Sequence, residues 1–382
     1  MPRNSYKTEV LVLQPTPFCN LDCTYCYLPG RDQRSRMGLE IPVVALERLD
    51  DAGCLGNELD IHWHAGEPLV LPVHYYAEAI DKIGSAAPPR LAIAHHFQTN
   101  ATLISEEFCR LAKDRRITVG VSLDGPEDMH DRNRLTRGGG GTHKLAMQGI
   151  RKLEAHGIPF SVIAVLTQPT LNQPDLLFRF FSSNGFGTVC FNLEEVLGVH
   201  KKSSLNHSDM TIAVKQFFIQ YMELLRTIRP KQWVREIDGR LERLFSGVGC
   251  REKQNQPLAI VSVNWKGDLS TFCPELVDLE HPRFGNFMFG NVLRDRIQDI
   301  LMSEKFRLVN HEIQEGVAAC KEKCNYFAVC GGGTPAAKLA ETGSFATTET
   351  VSCRLAVQSI TDVLLDYVES AASNKLPATC AQ

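Results

Sequence analysis

The chain has 382 residues, 43% of them hydrophobic and 22% charged, with a formal net charge of −3. This is the make-up of a globular protein with room for more than one domain, and the small net charge excludes a broad nucleic-acid or membrane-surface footprint. The opening MPRNSYKTEV has charge but no apolar run of signal-peptide length, and nowhere do roughly 18 apolar residues run together. The cytoplasm is the expected location, with no nucleic acid and no membrane among its partners.

In chain order, apolar strand-like runs alternate with helix-like stretches over the first half. Predicted strands are EVLVL (9–13), LDIHWH (59–64), LAIAHHF (91–97), ITVGVSL (117–123), FSVIAVL (160–166) and TVCFNLE (188–194). Amphipathic segments between them include VVALERLDDAG, SEEFCRLAKDR and THKLAMQGIRKLEAHG. The last is predicted to start on Thr142 as N-cap and to stop at Gly157, with Pro159 two residues on. Six strand–helix units in strict alternation imply a parallel sheet with right-handed crossovers. They are too few for a closed eight-fold barrel, so the expectation is an α/β fold, a partial (β/α)6 TIM-like barrel over residues 1–207.

In barrels of this kind the chemistry gathers at the C-terminal ends of the strands. Those positions hold Glu67 after the second strand, Gln98 and Asn100 after the third, Ser122 and Asp124 after the fourth, Thr167 after the fifth, and Glu194 and Glu195 after the sixth. Each alone reads equally as a turn or cap residue. Together they form a polar rim facing the cysteines that follow the first strand.

Residues 208–246, with SDMTIAVKQFFIQYMELLRTIR and REIDGRLERLF, read as two bridging helices. A boundary near residue 246, in SGVGC, opens a Gly- and Cys-richer domain over 247–360. Within 361–382, SITDVLLDYVES (from residue 359) reads as a closing helix and ASNKLPATCAQ as a tail.

The 13 cysteines are the anomaly. Disulfides belong to oxidising compartments, and the count is odd. Cys54, Cys109, Cys190 and Cys380 are isolated and read as packing residues or free thiols. The others cluster near the two ends, and thiolates at tight spacing hold zinc or iron–sulfur clusters. In FCNLDCTYCY, Cys19, Cys23 and Cys26 leave a fourth coordination position unfilled by protein. For structural zinc that is a defect; for a [4Fe–4S] cluster it frees one iron for another ligand.

This pattern, with Tyr25 just before the third cysteine, resembles the signature of radical S-adenosylmethionine enzymes. The resemblance implies a [4Fe–4S] cluster on Cys19, Cys23 and Cys26 whose open iron chelates S-adenosylmethionine. Electron transfer, from a donor such as flavodoxin or ferredoxin, would then give a 5′-deoxyadenosyl radical that takes hydrogen from the substrate. HAGEP (64–68) is similar to the family's Gly-Gly-Glu motif, with Ala65 in place of the first glycine. By that likeness Glu67 and the Gly66 backbone would hold the methionyl amino group, and Tyr25 would meet adenine through its backbone. VSLDGPEDMHDRNR (121–134) is similar to a stretch of peptide-modifying members and would put Ser122 near the cofactor; Asn100 is carried over as a further cofactor contact.

CKEKCNYFAVCGGGTP supplies Cys320, Cys324 and Cys330, with Cys353 in VSCRL and Cys250 and Cys273 upstream. This resembles the SPASM domain, an auxiliary-cluster module whose full form carries seven cysteines for two further [4Fe–4S] clusters. By the resemblance one auxiliary cluster keeps Cys320, Cys324, Cys330 and Cys353. The other keeps Cys250 and Cys273 alone, because Thr334 stands where the family has a cysteine and none occurs between Cys273 and Cys320. That site is expected to be incomplete, and zinc stays open for the four-cysteine set.

The words CYLPGR, STFCPE, CGGGTPAAK, ETGSF and TTETVSCR look most like cyclophane-forming peptide maturases of the GrrM/OscB type. That resemblance implies a ribosomal precursor peptide in which an aromatic ring carbon is joined to the β-carbon of a nearby residue. Restoring the ring's aromaticity releases one electron, for which an auxiliary cluster is an acceptor, and one proton, for which Glu275, Glu194 and Glu195 are candidate bases. A formylglycine-generating sulfatase maturase shares both modules and is the alternative; a zinc-holding, non-catalytic peptide-binding scaffold is the alternative from another class. The first strand begins almost at once, so leader recognition is expected to use an exposed strand edge or another protein.

Overall fold

Strand β1 (Thr8–Leu13), with Leu11 and Leu13 wholly buried, lies inside the sheet that organises the molecule. The computed structural model describes residues 6–207, 210–229 and 231–373; Cys380 and the rest of the predicted tail beyond Ser373 lie outside the described residues. On one side of β1 follow, all parallel and in chain order, β2 (Leu55–Trp63), β3 (Ala92–Thr99), β4 (Thr118–Ser122), β5 (Phe160–Leu166), β6 (Thr188–Leu193) and β7 (Trp233–Val234). On its other side β1 pairs in parallel with β8 (Ile260–Val263), and β8 runs antiparallel to β9 (Asp268–Thr271). After the small hairpin of β10 (Glu280–His281) and β11 (Gly285–Asn286), β12 (Gly290–Asn291) closes this edge against β9.

The sheet is therefore open, ten strands in the order β12-β9-β8-β1-β2-β3-β4-β5-β6-β7. All six predicted strands form, within a few residues of their expected ends, and the α/β partial barrel stands. The expected boundary near residue 246 falls at the end of a helix, yet the pairing of β1 with β8 carries the sheet across it.

The crossovers are α1 (Glu40–Asp51), α2 (Val73–Ala86), α3 (Glu106–Asp114), α4 (Glu127–Asn133) with α5 (His143–His156), and α6 (Gln168–Leu171) with α7 (Pro174–Ser183). The bridging helices are α8 (Met210–Ile228) and α9 (Asp238–Ser246). Then come α10 (Ile297–Met302), α11 (Glu304–Lys323), α12 (Phe327–Cys330), α13 (Pro335–Thr342) and α14 (Ile360–Ser373), the last entered through a π-helical turn over Cys353–Ser359. Asp362 of α14 ties this end together, pairing with Lys215 of α8 at 2.7 Å and accepting from the Tyr326 hydroxyl at 2.6 Å.

Alternation along the strands sets the layers. In β2, Leu59, Ile61 and Trp63 are buried while Asp60 and His62 point to the other face. Trp63 packs edge-on against Tyr76 of α2 at 5.2 Å, and Phe97 of β3 against Phe108 of α3 at 5.2 Å. Each such ring contributes about 2–3 kcal/mol on burial.

One local expectation is corrected. Thr142 sits at the head of α5, but its side chain does not cap the helix. Its hydroxyl donates to Arg134 O at 2.7 Å, and Asp131 Oδ1 instead accepts the Thr142 and His143 N–H groups at 2.7 and 2.8 Å. A carboxylate at a helix N-terminus bonds those free donors and meets the positive end of the macrodipole. Gly157 ends α5 at φ +65°, as expected. Among the described residues no helix is long and apolar enough to cross a membrane.

Candidate active site and cysteine centres

The loop after β1 carries Cys19, Cys23 and Cys26, all partly buried and unpaired. It is pinned to the segment after α4: Asp22 N–H donates to Leu135 O at 2.8 Å, Thr24 N–H to Asn133 O at 2.9 Å, and Arg137 Nε to Cys19 O at 2.8 Å. Beneath it Tyr25 points inward, its hydroxyl bonded to Asp124 and its ring under the Arg134 guanidinium at 5.4 Å. Arg134 and Asp124 pair at 3.0 Å with 8% and 1% of their side chains exposed. The Tyr25 side chain is thus committed to the fold, which leaves its backbone for a ligand. Burial first, then Glu67 and the neighbouring cysteines, push the Cys19 thiol up to about 12; burial also raises Cys23, against the pull of Arg134. A bound cation's charge is what would turn such crowded thiols into thiolates.

The HAGEP turn follows β2 and lies against this loop. Gly66 has φ +61°, and a Cβ there would stand 2.5 Å from Thr16 O and 2.6 Å from Phe18 O, so only glycine lets the two backbones approach. The next residue locks the contact, Glu67 N–H donating to Phe18 O at 2.8 Å. Ala65 takes φ +69°, a left-handed conformation that costs an L residue about 1–2 kcal/mol. Glu67, 1% exposed, accepts from Leu69 N–H at 3.0 Å, the Thr99 hydroxyl at 2.6 Å and Asn100 N–H at 2.8 Å. Burial nevertheless holds its pKa up at about 7. Those bonds fill three of about four acceptor directions, leaving room on Oε2 for a donor such as an ammonium. Asn100 joins the set, its Nδ2 donating to Asn20 Oδ1 at 2.9 Å and facing Cys19 Sγ at 3.9 Å. Ser122 sits one strand away, its Oγ accepting from Gln98 Nε2 at 3.0 Å.

The three candidate bases separate clearly. Glu194 is occupied on both oxygens, by His200 at 3.0 Å and by the Ser204 N–H at 2.9 Å and hydroxyl. Glu195 is partly buried and pushed up to about 7 by desolvation and then by Glu275 and Glu341, while the Ser352 hydroxyl favours its ionised form. Glu275 is partly buried; its Oε2 is shielded from solvent and has no hydrogen-bond partner. Its field reaches Tyr27, whose hydroxyl is raised well above the ordinary value by burial, then by Glu275 and Cys26. Tyr27 in turn faces His64 Nε2 at 3.5 Å, and burial lowers that imidazole to about 4, so it is neutral near pH 7. Glu275 is thus coupled electrostatically both to Tyr27 of the three-cysteine loop and to Glu195.

Cys320, Cys324, Cys330 and Cys353 line one pocket together with Tyr326, Phe327, Gly332 and Gly333. Gly331, Gly332 and Gly333 all have positive φ, turning Gly333 N–H onto Cys330 Sγ at 3.0 Å. Burial, then the other three sulfurs, push the Cys353 thiol up to about 12. A tetrahedral zinc would need its thiolates about 3.8 Å apart, from Zn–S bonds of about 2.3 Å. Among the described residues, three or more metal-binding donor atoms converge within 4.8 Å of one another at Asp60, His62 and His96, and at neither cysteine set. In each centre, then, no three sulfurs all lie within 4.8 Å of one another; a thiolate donor set suits an iron–sulfur cluster. In the Asp60 group the rings of His62 and His96 are stacked at 4.6 Å, and both nitrogens of His96 already bond Asp60 and Thr118.

Cys273 is fully buried, its thiol raised by burial and by Glu275, while Cys250 is half-buried with Sγ 3.9 Å from Arg243. Thr334, where a further cysteine was expected by resemblance, starts α13 and lines a cavity of about 160 Å³ with Arg240, Arg243, Glu252 and Glu195. Cys330 and Cys353 of the four-cysteine set line that cavity too, whereas Cys250 and Cys273 do not. A larger groove of about 480 Å³ opens between Pro17–Gln33 and the β9–β12 edge, beside Trp265, Phe289, Asp268 and Glu280; none of the predicted site residues lines it.

Arg134, Tyr27 and Lys338 are site residues that sequence reasoning did not single out. Arg134 lay within the quoted 121–134 stretch and Tyr27 in CYLPGR, but only the fold shows which buried group each one meets.

Residues 13–181 match the family model described as the Radical SAM superfamily. Over 367 residues, 95% of this chain and 92% of the other, the chain is 38% identical to the uncharacterized protein sll1766 of Synechocystis sp.. It is 25% identical to the serine-type anaerobic sulfatase-maturating enzyme of Bacteroides thetaiotaomicron, over 87% of this chain and 84% of that one. Among solved structures it resembles native anSMEcpe with bound AdoMet and Cp18Cys peptide, with a TM-score of 0.78, 20% identity, and 96% and 99% of the two chains covered.

Proposed function

The chain belongs to the radical SAM superfamily, and we propose that it is an S-adenosylmethionine-dependent enzyme that oxidises a side chain of a peptide by two electrons, joining an aromatic ring to a neighbouring β-carbon. When bound, the cofactors would supply a 5′-deoxyadenosyl radical that takes one hydrogen atom and an auxiliary [4Fe–4S] cluster that takes one electron. The chain's own residues do the rest. Cys19, Cys23 and Cys26 would hold the first cluster. Glu67 would offer its remaining acceptor direction to the ammonium, while Gly66, the Tyr25 backbone, Asn100 and Ser122 shape the adjoining surface. Cys320, Cys324, Cys330 and Cys353 would hold the auxiliary cluster.

The observation that carries this reading is Glu275. A buried carboxylate oxygen without a partner is costly unless it has work to do, and this carboxylate is electrostatically coupled to Tyr27, to Cys273 and to Glu195, which supports giving it the proton. Glu195 is the neighbouring carboxylate to which that proton passes on. The substrate reading is a ribosomal precursor peptide, and the electron enters from a donor of the flavodoxin or ferredoxin kind. The depleted Cys250–Cys273 pair supports crosslinking over the maturation of sulfatases.

A second reading, formylglycine formation at a Cys or Ser side chain, is favoured by the similarity to sulfatase-maturating enzymes over most of the chain. The same residues would serve, because that oxidation also gives up a hydrogen atom, a proton and an electron. The test is anaerobic turnover with S-adenosylmethionine and dithionite on a candidate precursor and on a sulfatase-derived peptide. A crosslink appears in tandem mass spectrometry as the loss of two hydrogens with no fragmentation between the joined residues; an aldehyde is trapped by hydroxylamine. Zinc in place of iron, with no deoxyadenosine, would leave only a peptide-binding scaffold.

A further inference from the structure

Lys338 lies on α13 and is 3% exposed. Its Nζ donates to Cys320 Sγ at 3.4 Å, and the hydrogen bonds of the described residues give it no carboxylate partner. A buried ammonium without a directly paired anion costs several kcal/mol; Glu195 and Glu252 line the same cavity as Lys338, but the hydrogen bond it makes is to the Cys320 sulfur. The room for the ammonium is left by glycine. A Cβ at Gly316 of α11 would stand 3.1 Å from Lys338 Nζ and 2.1 Å from Phe345 O, and one at Gly333 would stand 3.6 Å from Lys338 Cε. Gly316 is required chiefly by Phe345 O and leaves the ammonium tip its space, while the contact at Gly333 is an ordinary one. Two further cations, Arg240 and Arg243, line a cavity with Cys330 and Cys353. Arg240 donates to Val357 O and Thr361 and feels the field of Cys330, and Arg243 faces Cys250, so Lys338 is the cation that bonds a sulfur of the four-cysteine set.

We infer that Lys338 is the internal counter-ion of the auxiliary cluster, a positioning residue that raises the cluster's reduction potential by donating to the Cys320 thiolate. The inference rests on the proposed ligand set Cys320, Cys324, Cys330 and Cys353. A four-thiolate [4Fe–4S] centre is dianionic when oxidised and trianionic when reduced, so an adjacent cation stabilises the reduced form more than the oxidised one. Net charge and hydrogen bonds to sulfur are two of the main determinants of such potentials. The electron accounting is closed. The substrate loses a hydrogen atom to the deoxyadenosyl radical, then a proton to Glu275 and one electron to the oxidised auxiliary cluster, which is reduced by one. Lys338 makes that last transfer more downhill.

The test is an EPR-monitored redox titration of the full-length, anaerobically reconstituted enzyme and its Lys338→Met and Lys338→Arg variants, with iron counted in each. Added S-adenosylmethionine marks the signal of the N-terminal cluster. The expected result is unchanged iron, an auxiliary potential shifted to more negative values in Lys338→Met and partly restored in Lys338→Arg, and an unmoved N-terminal cluster. Deoxyadenosine formed per crosslinked peptide should rise in Lys338→Met, because radicals form that are not oxidised onward. An auxiliary potential unchanged at full iron content overturns the inference and leaves the ligand set standing. Wild-type enzyme with about four irons rather than about eight per chain overturns the ligand set and the inference with it. If Lys338→Met loses iron, recovery of both iron and potential in Lys338→Arg supports the role of charge, and loss of iron in both overturns it.

Discussion

The two cysteine centres are built to opposite plans. The N-terminal loop offers three sulfurs, is held from outside by backbone bonds to the segment after α4, and meets its cation, Arg134, underneath, paired with Asp124. The C-terminal set offers four sulfurs to one pocket, turns a glycine-rich backbone onto them, and brings a cation into direct contact with one. An open centre keeps a position for a ligand that reacts; a closed one has its positions filled by protein and can only pass charge. Glu275 and Glu195 are carboxylates raised by burial, and Glu275 raises Glu195 further. The proposed function divides radical generation, proton acceptance and electron acceptance among these three groups of residues.

Substitutions in the two centres should break this division in different ways. Cys26→Ala should abolish deoxyadenosine formation, with iron per chain falling by about four. Cys353→Ala should also lose iron, yet deoxyadenosine should still form while the modified peptide disappears. Iron analysis and chromatography of both products decide the matter; equal loss of deoxyadenosine in both variants would refute the division.

Glu275→Gln should keep both clusters and deoxyadenosine formation but lower modified peptide by about 10²–10⁴-fold, the usual worth of a positioned base. Glu194→Gln should lose little rate by comparison, because its carboxylate is spent on His200 and Ser204. Arg134→Met breaks the buried pair under the open loop and leaves Asp124 without its countercharge, which should cost about 3–5 kcal/mol in chemical denaturation. The same kind of change at Arg354, exposed and paired with Glu349, should cost no more than about 1 kcal/mol.

The pH profile gives a gentler test. Glu195 is held at about 7 by burial and then by Glu275 and Glu341. A proton acceptor must be ionised, so product formation should rise with pH up to about 7 and then level off, and Glu195→Gln should alter that rise. The stability consequence has the opposite sign. A carboxyl raised in the folded state favours folding most below its unfolded value, so this contribution is lost as pH climbs through about 7.

Much of this was legible in the residues. The six strands show as apolar runs spaced by amphipathic segments, because each must be covered by a helix on one face. Cys19, Cys23 and Cys26 are close in sequence, so their grouping needed no tertiary information, and neither did three of the four C-terminal cysteines. What stayed hidden depends on contacts across the sheet. Arg134 meets Asp124 and Tyr25 from three different loops, Lys338 meets Cys320 across two helices, and the partnerless oxygen of Glu275 exists only once everything around it is packed. Thr142 shows the same limit on a local scale, since Asp131, eleven residues earlier, takes the bonds expected of it. That the C-terminal region lends β8, β9 and β12 to the barrel's own sheet was masked by its change in composition, which marks a boundary in sequence but not in hydrogen bonding.

The smallest effect concerns the open centre alone. Ala65 holds φ +69° at the turn where the resembling motif has glycine, and Gly66 follows at φ +61°. The backbone must turn twice in the left-handed sense to bring Glu67 N–H onto Phe18 O, and Ala65 pays for its share with a Cβ in an unfavourable contact. Replacing it with glycine removes about 1–2 kcal/mol of strain and gives back about 0.5–1 kcal/mol in unfolded-chain entropy. Ala65→Gly should therefore stabilise the protein by no more than about 1 kcal/mol in denaturant titration, with deoxyadenosine formation unchanged. Gly66→Ala, where a Cβ meets three backbone atoms within 3 Å, should instead displace the cysteine loop and lower iron in the N-terminal cluster. A neutral outcome at Gly66 would mean that the loop can move away without losing its grip on iron, and the open centre would then owe less to this turn than to Arg134 below it.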